Sequence, residues 1–282
     1  MRYKIFLLIL IVFSLSCGDE TIDSTVADNI TGDFLPNNSN NFWKYLVSSS
    51  SEDLPDTDFT ASDSLYISES SVNSITLAAN DDTLANGRMN MILTSGTLYK
   101  TANTLKLEGS LDLSENFAAL GLAENFTLTD LSILDLDAPN GSIMYTETGT
   151  FSNSVPIQDT QIPITVNFEI RTTKLNFYDS KILDTTNYVN VFEGEITLSV
   201  EANAIISLFG FPQTLAFLEP QEILSIRYYY ADSIGLVNAQ TSQGFTLSDE
   251  LINFLSIANI PLEIPSTINI TSTEILSYYL TN

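Results

Sequence analysis

The segment PITVNFEIRT, residues 163–172, decides the fold. Ile164, Val166, Phe168 and Ile170 alternate with Thr165, Asn167 and Glu169, so an extended chain here has one apolar and one polar side. A period of two marks a strand with one face on a core and the other in water. The pattern returns downstream at Ile196, Leu198 and Val200, and upstream at Leu105 and Leu107, at Met89, Met91 and Leu93 in RMNMILT, and at Leu65 and Ile67. Clusters of Asn, Asp, Gly and Ser separate these segments and read as turns. The expected fold class is all-β, mainly antiparallel, with a few short helices. Helical spacing is confined to Leu113–Leu122, to Ala204–Leu218 (interrupted by Gly210 and Pro212) and to Leu247–Ile257, where Thr246 or Ser248 precedes Asp249 and Glu250 as a cap.

Composition narrows the function. Hydrophobic residues make up 44% of the 282, enough for a real core. Arg2 and Lys4 are two of only ten basic residues, and no acidic residue falls in the first sixteen. The remaining chain therefore carries eight basic against 35 acidic side chains, a net charge of −27. Such a field repels phosphate backbones and anionic head groups, so no nucleic-acid partner is expected; its simplest role is solubility. There is no histidine, which removes the commonest general base and every Ser-His or Cys-His pair. The single cysteine supports neither an internal disulfide nor a thiolate zinc site.

The N-terminus gives an address. Arg2 and Lys4 precede the apolar run Ile5–Phe13, which is too short to span a bilayer as a helix, and Ser14-Leu15-Ser16-Cys17 follows. Ser14 and Ser16 also suit an ordinary signal peptidase, which would leave Cys17 a free terminal thiol. A lone cysteine directly after the apolar run resembles the lipobox of bacterial lipoproteins, although Ser14 stands where that family usually has Leu. The resemblance implies a signal peptide over 1–16 and lipid attachment, palmitate included, at Cys17. Gly18-Asp19-Glu20 is similar to the acidic segment of surface-exported lipoproteins of the Bacteroidota, which implies an outer-membrane protein at the cell surface; a tether facing the periplasm is the other reading. Residues 17–41, rich in Asp, Asn, Ser and Thr, read as a flexible tether, with one β domain over 42–282.

Two further patches carry a family likeness. FLPNNSNNFWKYLV (34–47) and ILSIRYYYADSIGLVNAQT (223–241) resemble bacterial exported proteins related to the lipoprotein-carrier half-barrel. That likeness implies a strongly curved sheet or half-barrel around segments that fill its concave side, here Ala204–Leu218 and Leu247–Ile257 acting as plug or lid.

Other constellations have structural explanations. Gly235 reads as a turn or bulge, and Tyr228, Tyr229 and Tyr230 as rings on both sheet faces. Asp135, Asp137, Asn140 and Gly141 lack calcium-loop spacing and read as a solvated turn, as do the pairs Asp81-Asp82 and Asp56/Asp58. Phosphate loops and nucleophile elbows are absent from the sequence. We therefore expect a non-enzymatic cell-envelope lipoprotein with no cofactor and no metal. It would bind a hydrophobic ligand or act as a contact module for a surface protein. A carboxylate-based glycan hydrolase and a purely structural protein are the alternatives.

Overall fold

The computed structural model describes residues 32–281, apart from 55–57, 114–116, 118–119, 121–124, 158–159, 209–210 and 262–263. The expected signal peptide, Cys17 and most of the expected tether lie outside the described residues.

In chain order the strands begin with β1 (Phe42–Ser51), β2 (Phe59–Ser70) and β3 (Ser74–Ala79), followed by helix α1 (Arg88–Leu93). Then come β4 (Thr97–Lys100), β5 (Thr104–Asp112), β6 (Asn125–Asp135), β7 (Ile143–Ile157), β8 (Thr160–Leu183) and β9 (Thr186–Leu208). The chain ends with β10 (Phe211–Ala231), β11 (Gly235–Thr246), helix α2 (Asp249–Ile257) and β12 (Thr267–Leu280). All pair antiparallel in one sheet of order β6-β5-β4-β3-β2-β1-β12-β11-β10-β9-β8-β7. This is a meander whose first and last strands pair with each other, so the break falls between β6 and β7. The all-β, strongly curved expectation holds, and the sheet is nearly closed like a barrel.

Side chains stitch the break. Thr172 and Lys174 of β8 and Tyr228 of β10, all on the inner face, donate to the carbonyls of Ser132 (2.7 Å), Leu136 (2.8 Å) and Ile133 (2.5 Å) in or just after β6. Three carbonyls at the C-terminal end of the unpaired β6 edge are thereby satisfied against the inner face of β8 and β10, as buried backbone groups require. The Phe126 ring reinforces the seam, 4.8 Å from Phe168 and 5.9 Å from Phe151.

The core follows the alternation. Ile170, Ile196 and Leu198 are buried as expected; Trp43 and Leu236 are buried too, and Trp43 Nε1 donates to the Ile234 carbonyl (2.5 Å). Phe168, expected among them, is only half-buried. It lies at the seam opposite Gly149 on edge strand β7, where a Cβ at Gly149 would come within 2.5 Å of its ring.

Two expectations are corrected. RMNMIL forms helix α1, because Met89, Ile92 and Leu93 also satisfy helical spacing and tertiary partners take up its first N–H groups. Ala204–Leu218 is not a helix but the facing ends of β9 and β10. Ala202, Ala204 and Ile206 are buried there while Ile205 is exposed, a period of two that the Gly-Phe-Pro break had masked. Ahead of Phe42, Phe34 and Leu35 are buried, and Lys100 binds the Asp33 carboxylate and the Leu35 carbonyl. Leu247–Ile257 does contain a helix, α2, with Ser248 Oγ accepting from Leu251 N (3.0 Å). The helix expected at Leu113–Leu122 lies largely outside the described residues.

Candidate functional site

The polar centre of the described domain is built around α1. Strand β2 carries Leu65 and Ile67 on its inner face, and Asp63 shares their parity; Glu274 shares the inner parity of Ile270 and Leu276 on β12. The pleat therefore delivers two carboxylates into the core, each 0% exposed.

Backbone donors meet them there. Glu274 accepts from Met89 N (2.7 Å) and Asn90 N (2.9 Å), the free N–H groups of the first turn of α1. Asp63 accepts from Asn86 N (2.8 Å), Gly87 N (2.8 Å) and the side chains of Asn80 (2.9 Å), Asn86 (2.7 Å) and Asn90 (3.1 Å). A Cβ on Gly87 would fall 2.2 Å from a Glu274 carboxylate oxygen, so only glycine admits this approach. Arg88 donates to the Asp112 carbonyl (2.9 Å) and Gln243 Oε1 (3.2 Å), tying the helix to β5 and β11. Met89, Ile92 and Leu93, all buried, fill the surrounding apolar space.

The two carboxylates are tuned apart. Burial pushes the Glu274 carboxyl up to about 7, against the opposing pull of the Asn90 and Met89 N–H groups. Burial also pushes Asp63 up, but the hydrogen bonds from Asn80, Asn86 and Gly87 outweigh it and hold that carboxyl below its ordinary value. Such a split resembles an acid–base pair, yet both groups are sealed from solvent and committed to the chain's own donors. Their chemistry is directed at α1.

The other singled-out residues separate from this centre. Tyr228 and Tyr230 are buried inside, whereas Tyr229 OH donates to Glu193 (2.9 Å), which also accepts from Tyr178 OH (2.5 Å). Lys181 lies 3.8 Å from the centroid of the Tyr178 ring, completing a packed outer cluster with no open stacking platform. Gly235 has φ of +109°, which a non-glycine residue would adopt only under strain, and it lies in the tight β10–β11 connection as expected. Asp135 accepts from Asp137 N (3.0 Å) and Asp137 from Asn103 (3.0 Å), the bonding of a turn. Sequence reading missed Asp63 and Glu274, although strand parity carried the signal: each falls on the apolar side of its own alternation.

Fold and site together define a class: an all-β, nearly closed meander with a helix pinned inside it. No protein-family model, no curated protein and no solved structure matches the chain.

Proposed function

We propose that the chain is a lipid-anchored cell-envelope protein, attached through Cys17, whose β domain is non-enzymatic and works through its outer surface as a contact module. The observation that carries this reading is α1. Its side chains occupy the space a carrier would reserve for a hydrophobic ligand, and Asp63 and Glu274 hold it there. A groove that exchanges ligands needs a lining that can be vacated, whereas here the backbone N–H groups at the start of α1 are held by carboxylate side chains from β2 and β12. The glycan-hydrolase alternative gains nothing from the same carboxylates, because neither reaches the surface. The cell-surface address rests on Gly18-Asp19-Glu20 and on the acidic composition.

Metabolic palmitate labelling together with lipid extraction tests the reading. Wild type should take up label and Cys17→Ser should not, and the purified Cys17→Ser chain should carry no lipid and gain no thermal stability across a lipid panel. Unlabelled wild type would remove the anchor, and co-purifying lipid would restore the carrier.

A further inference from the structure

We propose that a trough on the outer face of β1 and β2 binds an uncharged saccharide. The proposal rests on the reading that the outer surface is the working face, and it names what one part of that surface touches. The small side chains of Ser62 and Ser64 form the floor, and the register partners Phe42 and Tyr66 close one end. The loop after β3 supplies the opposite wall through Asp81 and Leu84. The trough is open along its top and has a volume of about 530 Å³.

The wall is built to hold its shape. Asn80, Asp81 and Asp82 are three consecutive left-handed residues, with φ of 51°, 55° and 66°. Such a run persists only where its surroundings over-determine it. Here Asn80 accepts from Ser64 N (2.9 Å) and donates to the Leu84 carbonyl (3.1 Å), Thr83 Oγ1 donates to the Asn80 carbonyl (2.9 Å), and Tyr66 OH donates to Asp82 (2.7 Å). That scaffold holds Leu84 out in water at 80% exposed, an apolar side chain that contributes little to the core. Beyond Phe42 the apolar strip continues through Tyr278, 6.4 Å between ring centroids, and Leu280.

The lining selects the ligand class. Rings and a leucine flank hydroxyls, amides and a carboxylate, which suits a molecule with a flat C–H face and a rim of hydroxyls, as a pyranose has. A purely apolar ligand would strip water from Ser62, Ser64, Asn86 and Asp81 without replacing their hydrogen bonds. An anionic sugar would meet Asp81, Asp82 and the negative field of the whole domain, against one cation, Lys44, which faces outward on β1 opposite Ser64.

Isothermal titration of the full chain in detergent tests the site, with maltohexaose, cellohexaose, chitohexaose and xylohexaose as probes. Trigalacturonate and calcium chloride serve as charged controls. At least one neutral oligosaccharide should bind with a Kd below about 1 mM, and Phe42→Ala and Leu84→Ala should each weaken it about tenfold. Leu84 is so exposed that its truncation leaves the fold intact, and Tyr99→Ala, a partly exposed ring on β4, should bind as wild type does. Three results would overturn the site: no heat with any neutral probe, unchanged affinity in both variants, or binding of only the charged controls. Each leaves the contact-module reading standing, since that reading falls only to co-purifying lipid or a missing anchor.

Discussion

Strands β8, β9 and β10 run 24, 23 and 21 residues and pair with one another over nearly their whole length. Strands β3 and β4 run six and four, and between them the chain leaves the sheet to place α1 inside. In the long region successive residues add ladder bonds and cross-strand contacts, broken only by a few bulges, so apolar alternation carries most of the register. In the short region there is too little sheet for that. Order comes instead from two buried carboxylates bonded to the backbone of a six-residue helix, a length that does not persist unaided in water. The same domain is therefore held by packing on one side and by a polar core on the other. The polar side should fail more steeply when one atom group is removed.

Substitution at Asp63 should have the largest effect. Asp63→Ala leaves the Asn86 and Gly87 N–H groups and three side-chain amides without their acceptor inside the core, and should cost about 4 kcal/mol in urea unfolding. A loss under about 1 kcal/mol would mean that α1 is held by packing after all. Gly87→Ala should follow at about 2–3 kcal/mol, because the added methyl would displace a Glu274 carboxylate that the Met89 and Asn90 N–H groups hold in place. A neutral result there would show that Glu274 does not cap the helix.

Glu274 gives the comparison a pH axis. Its folded-state carboxyl sits near 7, above the ordinary 4.5, so the folded chain favours the protonated form. Its contribution to stability is full below the ordinary value and is lost as the pH rises through 7. Between about pH 5 and pH 8 wild type should lose about 2 kcal/mol more than Glu274→Gln does; parallel curves would contradict this. Asp63, held low, loses its own contribution only under more acidic conditions. On the packing side, Phe168→Ala should cost about 1–2 kcal/mol, less than a fully buried ring, since its ring lies half in water at the seam. A cost near that of Asp63→Ala would erase the contrast.

The same contrast explains what the sequence made legible. PITVNFEIRT announced its strand and its facing because length and alternation agreed, and Ile164, Val166 and Ile170 lie where that pattern put them. RMNMIL was opaque, since six residues fit both periods and the deciding partners, Asp63 and Glu274, stand far away in the chain. The hairpin at Ala204–Leu218 was obscured by its breaker, which punctuates a helix and a turn alike. Closure was illegible too: β1 meets β12 across the whole chain, and the seam depends on three side chains meeting carbonyls, which leaves no local pattern. The outer trough needed strand register and loop conformation together before Phe42, Tyr66 and Leu84 could be placed side by side.

The central claim is that α1 is a permanent filling of the sheet and not a movable lid, and amide hydrogen exchange tests it most directly. The Met89 and Asn90 N–H groups, bound to a buried carboxylate, should open only with the whole domain. They should then exchange as slowly as the amides of Leu198 and Ile226 in the long strands. Exchange as fast as that of the Asp184–Thr185 turn, with the long strands still protected, would show that the helix leaves the interior on its own and contradict the account.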